Sequence, residues 1–167
     1  MDEAFVCKIA TARELERKWD EEIGRQPDDA FNQRTWKQQN LERCKQGAIL
    51  PYFGLLEGEV ICEAIAMLDP AFVQNSEGLV DGNTVYLAAF RTADAFQNQG
   101  YFSRLFRFML ADLKKRGFTR ATLGVEPDST RNKATYAHYG FTDFIKAGQE
   151  SYPDGTMIDA EYYGRSL

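Results

Sequence analysis

The chain has 167 residues, of which 44% are hydrophobic and 27% charged, with a formal net charge of −5. This composition argues against intrinsic disorder, the acidic balance disfavours a nucleic-acid surface, and the length favours a single domain over residues 1–167. No apolar run approaches the roughly 18 residues of a membrane-spanning helix, and the acidic start lacks a signal-peptide pattern, so we expect no membrane partner and a cytoplasmic location.

The first elements in chain order are a strand and two helices. Phe5–Ala10 alternates apolar and polar residues, which indicates a strand. Thr11 and Glu14 have the spacing of a capping box, and we expect the helix that follows to end at Gly24 in the left-handed conformation. A second, partly exposed helix is expected over Asp29–Lys45, where it could border a substrate cleft.

Three strands follow these helices. Ile49–Leu56 and Val60–Leu68 are rich in β-forming residues, and the intervening Glu57-Gly58-Glu59 indicates an antiparallel hairpin. The stretch Asp69–Asn83 has the composition of a loop. Thr84–Phe90 is the third strand, and it leads into a glycine-containing turn.

A long helix follows that turn. Apolar residues recur at three- and four-residue steps from Phe102 to Leu113 and predict one buried stripe, with Gly117 after the helix end. Ala121 to Val125 alternates as a further strand. Asp128 is expected to cap a short helix that ends at Gly140.

The C-terminal part predicts extended structure. Phe141–Lys146 is expected to be extended, and two last strands, Gln149–Tyr152 and Met157–Tyr163, flank the turn Pro153-Asp154-Gly155. Strands alternate with the long central helix, and hairpins lie to either side. This order predicts a mixed α/β sheet with helices packed on it.

The turn Gln97–Ser103 has features of an anion site. The first N–H groups of a helix have no partners inside it, and Gly100 allows a ligand to approach the backbone closely. Together these features suit a phosphate or pyrophosphate. A glycine at this position can also serve only to start a helix. The turn is neither a Walker loop nor a GxGxxG dinucleotide fingerprint.

Two motifs stand out in this part of the chain. The first is Gln97-x-x-Gly100-x-Phe102, and the second is Tyr136 four residues before Gly140-Phe141. Together they resemble the GNAT superfamily of acyl-CoA-dependent N-acyltransferases. The resemblance is close over Val85 to Phe144. The rest of the chain matches the family only in the order of its predicted helices and strands. It implies a mixed, mostly antiparallel central sheet of about six or seven strands with about four helices. Phe102 departs from the family pattern, which has a small residue at this position. We expect its ring to turn into the buried apolar stripe of the long helix.

The resemblance implies that acetyl-CoA is the cofactor, held where the parallel strands Tyr86–Thr92 and Ala121–Glu126 splay apart. Backbone N–H groups of the turn would contact the pyrophosphate, and main-chain groups at the strand end would contact the pantetheine arm. Ser129 or Asn132 would replace an Asn that family members often carry before the Tyr. The cofactor-binding residues predicted in this way are Phe90, Arg91, Thr92, Gln97, Asn98, Gln99, Gly100, Tyr101, Phe102, Ser103, Ser129, Asn132 and Tyr136.

Acetyl transfer to an amine needs a proton acceptor and a proton donor. The resemblance assigns Tyr136 as the donor to the departing thiolate. Glu63, in an otherwise apolar strand, is the candidate base, although the strand could instead turn it to solvent or pair it with an Arg. Deprotonation through water also stays open. His138 is the only histidine, and its spacing from Tyr136 places it on another face of the helix.

The predicted function is therefore direct transfer of an acetyl group from acetyl-CoA to a primary amine of a small molecule or peptide. One alternative is a non-catalytic relative that binds CoA as a sensor or scaffold, and another is an unrelated nucleotide-binding domain. The three cysteines lack the paired spacings of zinc sites, so no metal is expected. An exposed final strand could pair with a second copy of the chain to form a homodimer.

Overall fold

The computed structural model describes residues 4–167, apart from the side chain of Asp29. Within this range the chain forms seven strands and four α-helices. The strands are β1 (Phe5–Ile9), β2 (Ile49–Leu56), β3 (Glu59–Met67), β4 (Thr84–Thr92), β5 (Arg120–Val125), β6 (Asp143–Ser151) and β7 (Met157–Ser166). The helices are α1 (Ala12–Arg25), α2 (Ala30–Lys45), α3 (Tyr101–Lys115) and α4 (Thr130–His138). None of the helices in the described range is long and apolar enough to cross a membrane.

The strands form one mixed sheet in the order β1-β2-β3-β4-β5-β7-β6. β1 is antiparallel to β2, and β7 is antiparallel to both β5 and β6. β4 and β5 are parallel, and their pairing runs from Thr84↔Arg120 to Leu87↔Leu123, although both strands continue beyond it. The predicted fold class, a mostly antiparallel sheet with one parallel pair and about four helices, is confirmed.

The chain divides into two compact units, each with its own buried side chains. The first unit contains the described residues up to Ala66 together with Ala89–Asp112, and the second contains Met67–Ala88 and Leu113–Leu167. The largest fully buried side chains of the first unit are those of Leu15, Ile49, Tyr52, Phe53, Leu105, Phe106 and Met109. Those of the second are Leu79, Leu87, Leu113, Phe141 and Tyr162.

Two local predictions near the N-terminus are confirmed. Thr11 Oγ1 accepts from the Glu14 N–H at 3.2 Å, and the Thr11 N–H donates to Glu14 Oε1 at 2.9 Å, which completes the capping box. Glu57 and Gly58 have φ of 51° and 84°. Positive φ at two successive residues is typical of the tight turn of an antiparallel hairpin, here between β2 and β3.

The predicted helix end at Gly24 is wrong. Gly24 lies inside α1, which continues to Arg25, and Gln26 follows with φ of −131° and ψ of 67°. The cause is Pro27, because a residue that precedes proline is disfavoured in the helical region. The proline, and not the glycine, therefore ends this helix.

Two predictions in the C-terminal part are also wrong. Ser129, and not Asp128, occupies the N-cap position of α4, and its side chain makes no capping hydrogen bond. The extended stretch and the separate strand predicted on either side of residue 147 are one strand, β6. Its pairing with β7 continues from Lys146↔Tyr162 to Ser151↔Met157, past an irregularity between Phe144 and Lys146. Pairing with β7 keeps the residues around 147 extended, although their composition had indicated a break between two strands.

Candidate active site

The turn before α3 has two residues in the left-handed region. Asn98 has a φ of 61° and Gly100 a φ of 87°, and no atom lies within 4 Å of the position that a Cβ would take at Gly100. The first α-helical hydrogen bond runs from the Arg104 N–H to the Gly100 carbonyl at 3.2 Å. Within the described part of the chain, no group accepts from the N–H of Phe102 or Ser103. An anion could reach these amides because Gly100 leaves their approach open.

The glutamine side chains of this turn brace the backbone. Gln97 Nε2 donates to the Thr92 carbonyl at 3.1 Å and to Asp94 Oδ1 at 3.2 Å, and Gln99 Nε2 donates to the Ala95 carbonyl at 2.9 Å. Both amide groups therefore point back towards the preceding segment. These two side chains are therefore engaged within the turn itself.

Phe102 lies where the sequence predicts it. Its ring centroid is 5.4 Å from that of the fully buried Phe106 and 5.9 Å from that of Phe90. The bulky residue at this motif position thus packs in an aromatic cluster between α3 and the end of β4. The ring centroid of Tyr101, one residue earlier, lies 4.9 Å from that of Phe5 in a tilted arrangement and 6.1 Å from that of Phe96 in an edge-on arrangement.

The end of β4 departs from regular strand geometry. Ala89 has a φ of 58°, and the strand continues through Phe90 and Arg91 to Thr92. The Arg91 guanidinium forms an ion pair of 2.7 Å with Glu22. Its side chain is therefore directed to α1, and only its main chain is available for the cofactor contact predicted from the sequence.

Tyr136 occupies the last full turn of α4. Its carbonyl accepts from the Phe141 N–H at 3.0 Å, while the Gly140 N–H donates to the Ala137 carbonyl at 2.9 Å. These two bonds and the φ of 92° at Gly140 define a Schellman motif. The Tyr-x-x-x-Gly-Phe pattern thus also ends the helix. Burial raises the pKa of the Tyr136 hydroxyl to about 12, so it stays protonated at neutral pH.

Ser129 and Asn132 lie at the start of α4. Ser129 is half-buried, its carbonyl accepts the Lys133 N–H at 3.0 Å, and its hydroxyl makes no capping bond. Asn132 is exposed on the first turn of the helix. The cofactor contact from Ser129 or Asn132 stays a prediction.

Glu63 is buried in a network of charges. Its Oε1 lies 2.5 Å from Lys18 Nζ, which also lies 3.0 Å from Glu22 Oε2 and 3.8 Å from the centre of the Trp19 ring. Arg91 completes the network through Glu22. Burial raises the pKa of Glu63, and the Lys18 ammonium offsets only part of that effect. The side chain is not turned to solvent, and its direct counter-ion is a lysine rather than an arginine.

A second polar cluster was not found by sequence reasoning. Glu150 Oε2 accepts hydrogen bonds from Tyr162 at 2.7 Å and from Tyr86 at 3.3 Å, and Asn75 Nδ2 donates to Tyr162 Oη at 3.0 Å. The one sequence feature that pointed to this cluster was Tyr86, whose polar hydroxyl lies in an otherwise apolar strand. Nothing in the sequence shows that Glu150 faces it, since this requires the pairing of β6 with β7.

Comparison with known proteins identifies the family. The model of the acetyltransferase (GNAT) family matches residues 9–141. No curated protein sequence matches the chain significantly. Among solved structures, a probable acetyltransferase from Staphylococcus epidermidis is similar with a TM-score of 0.74 at 8% identity, covering 98% of this chain and 99% of that one.

Two further structures share this fold at low identity. The ribosomal-protein-S18-alanine N-acetyltransferase from Escherichia coli has a TM-score of 0.66 at 17% identity, covering 98% of this chain and 94% of that one. A ribosomal L7/L12 alpha-N-protein acetyltransferase in complex with coenzyme A has a TM-score of 0.69 at 13% identity, covering 98% of this chain and 94% of that one. Because the family model spans most of the sequence, the chain belongs to the acetyltransferase (GNAT) family.

Proposed function

We propose that this protein is an N-acetyltransferase that transfers the acetyl group of acetyl-CoA directly to a primary amine. Membership of the family carries the proposal, since the matched residues 9–141 include both the turn before α3 and Tyr136. The open amides beside Gly100 support it, because they offer the donors that a pyrophosphate needs. When bound, acetyl-CoA supplies the acetyl group as a thioester.

The main chain would make most of the cofactor contacts. The amides of residues 97–103 would hold the pyrophosphate, because the Gln97 and Gln99 side chains are already engaged within the turn. Main-chain groups of Phe90, Arg91 and Thr92 would orient the pantetheine arm. Each exposed contact of an anion with a helix start contributes only about 0.3 to 1 kcal/mol, so several amides must act together.

The acceptor must lose a proton before it can attack. An amine with a pKa of about 10.4 is neutral only about once in 2,500 molecules at pH 7, which costs about 4.6 kcal/mol. Among the carboxylates described above, Glu63 has a pKa that burial raises, which suits a base. Its negative charge is already balanced by Lys18, however, which favours a structural role. Glu150 is the second candidate, because it accepts hydrogen bonds from neutral tyrosine hydroxyls.

Tyr136 would donate the proton that the departing thiolate takes up. A thiol with a pKa of about 8.5 is a stronger acid than this tyrosine, so Tyr136 would help by being held close to the leaving sulfur rather than through its acidity. Its pKa of about 12 keeps the proton in place over the whole neutral range. His138 is exposed, and we assign it no part in the transfer.

The nature of the acceptor is also a proposal. Two structural neighbours are named for acetylation of ribosomal proteins, one of them at an alanine. We therefore include peptide α-amines beside small cationic amines as candidates. We further propose that residues 1–167 act as one catalytic domain in the cytoplasm.

Calorimetric titration with acetyl-CoA, followed by a thiol-release assay on a panel of primary amines, tests the proposal. The panel contains an alanyl peptide amide, lysine methyl ester, spermidine and phenylethylamine. We expect binding and release of free CoA with at least one amine, and a fall of about 100-fold in turnover for Tyr136→Phe. Tyr163→Phe is the matched control, because it removes a hydroxyl that contacts only Glu161 among the described residues.

Three results would overturn the proposal in different ways. Binding of acetyl-CoA without release on any amine would favour the sensor or scaffold. Protection against heat by ATP or NAD, but not by acetyl-CoA, would favour an unrelated nucleotide-binding role. Equal turnover of Tyr136→Phe and wild type would remove Tyr136 as the donor while leaving the transferase intact.

A further inference from the structure

Glu150 on β6 is a carboxylate that has no cationic partner among residues 4–167. Its Oε2 accepts from Tyr162 on β7 at 2.7 Å and, more weakly, from Tyr86 on β4 at 3.3 Å. No lysine or arginine of the described residues lies within ion-pair distance of it, and none of them donates a hydrogen bond to Oε1. Glu63, by contrast, has Lys18 at 2.5 Å.

The hydroxyl groups around Glu150 have a fixed direction. Asn75 Nδ2 donates to Tyr162 Oη at 3.0 Å and to the Gln149 carbonyl at 2.9 Å, so the Tyr162 hydroxyl proton is left to point at the carboxylate. Burial and the neighbouring carboxylate raise the pKa values of Tyr86 and Tyr162, and both remain donors at neutral pH. The two hydroxyls therefore occupy Oε2 and orient Oε1.

The cluster lies at the point where β4 and β5 stop pairing. Their last pair is Leu87↔Leu123, and the next residue of β5 is Gly124. A Cβ at Gly124 would be 2.9 Å from Tyr86 Oη and 2.9 Å from Tyr162 Cε1. The Tyr86 hydroxyl and the Tyr162 ring thus lie directly over the β5 backbone where its pairing with β4 ends, although β5 still pairs with β7 there. Tyr136 also contributes, as a smaller cause than burial or Glu150, to the raised pKa of Tyr86, which places the proposed donor in the same electrostatic environment.

We propose that Glu150 Oε1 binds the ammonium group of the acceptor and takes its proton, which makes the substrate a cationic primary amine. This inference rests on the proposed transferase function. The lack of a counter-charge among the described residues supports this assignment, because a half-buried carboxylate whose direct partners are neutral hydroxyls attracts a cation more strongly than one already paired. Glu63 lacks this property, and Asp159 on β7 is exposed to water.

The proton balance closes with the residues named. The ammonium gives one proton to Glu150, which later releases it to solvent, and the nitrogen forms the C–N bond as the C–S bond breaks. The sulfur leaves with the bonding electron pair and takes a proton from Tyr136. The nitrogen then loses a second proton, which restores the Tyr136 hydroxyl, and keeps the third as the amide hydrogen.

A binding experiment tests the amine site without reference to turnover. Propylammonium chloride is titrated into the ¹⁵N-labelled protein, and the shifts of the amide signals of Glu150 and Tyr162 are followed, with 1-butanol as the uncharged probe. We expect saturable shifts with propylammonium alone, and an apparent affinity at least tenfold weaker in Glu150→Gln. Asp159→Asn is the matched control, since it removes one carboxylate charge from the neighbouring exposed strand position, and it should bind like wild type.

The amine panel supplies the second measurement. We expect Glu150→Gln to lose about 100-fold in kcat/KM with the best amine while its affinity for acetyl-CoA is unchanged. Equal propylammonium binding by wild type and Glu150→Gln, or equal kcat/KM, would overturn the assignment. If Glu150-dependent binding is found but wild type acetylates no amine, the amine site stands and the transferase proposal fails. Because glutamine still accepts from the tyrosines, a purely structural role for Glu150 predicts neither loss.

Discussion

The charge network at Glu63 gives the sharpest prediction for stability. In Lys18→Met the ammonium is removed from between two carboxylates, and only Arg91, bound to Glu22, remains as a cation. Lys18 and Glu63 are 8% and 6% exposed, so water cannot replace the lost partner. Removing one member of a buried pair costs about 3 to 5 kcal/mol, and we expect Lys18→Met to lose that amount.

The double-mutant cycle separates this pair from general packing. Glu63→Gln alone leaves Lys18 with Glu22 at 3.0 Å, so we expect a loss of about 1 to 3 kcal/mol. Lys18→Met/Glu63→Gln removes both charges and should be more stable than the sum of the single changes by at least about 1.5 kcal/mol. Urea unfolding at pH 7 measures all four free energies. Losses that add within about 0.5 kcal/mol would refute the coupling.

The same network predicts a dependence on pH with a definite sign. The folded pKa of Glu63 is raised above its ordinary value of 4.5, mainly by burial, so the folded state binds this proton more tightly than the unfolded chain. Stability from this group is fully present below about 4.5 and is lost as the pH rises through the folded pKa. Without Lys18 that pKa rises further. Lys18→Met should therefore regain stability relative to wild type when unfolding is measured at pH 5 instead of pH 7.

Three further changes have expected outcomes. The Tyr136 hydroxyl, with a pKa of about 12, should impose no alkaline fall on turnover below pH 9, and a fall that disappears in Tyr136→Phe would contradict this raised pKa. Gly100→Ala places a side chain at a φ of 87° and should lower the free energy of unfolding by about 1 to 2 kcal/mol. It should also weaken acetyl-CoA binding, measured by calorimetry, at least fivefold. Gly82→Ala is the control and should have neither effect, because Gly82 has open space around it and no positive φ. Gly54→Ala puts a Cβ 2.4 Å from Cys62 Sγ and should lower the free energy of unfolding, measured in urea, by about 1 to 3 kcal/mol. Adding Cys62→Ala should restore part of that loss. An unchanged urea midpoint in Gly54→Ala would show that β3 can shift to accept the extra methyl group.

The sequence predicted features that depend on neighbouring residues along the chain. The capping box of α1, the hairpin at Glu57-Gly58 and the apolar stripe of α3 each follow from a spacing of a few residues, and all are present. The glycine turn could be located for the same reason, because its left-handed residue and its first helical turn are contiguous. Where two local signals competed, as Gly24 did with Pro27, the stronger backbone restriction decided the outcome.

What the sequence alone determined is the family, the element order and the backbone turn that we propose holds the cofactor, since these are local patterns of spacing. Tertiary structure alone decided the state of the carboxylates. Glu63 is paired because α1 brings Lys18 to it. In the described part of the chain, Glu150 has tyrosine hydroxyls and no cation as its partners, because β4, β6 and β7 place Tyr86 and Tyr162 around it. The charge balance and the pKa of a carboxylate depend on burial and on groups distant in the chain, and no spacing along the sequence encodes them.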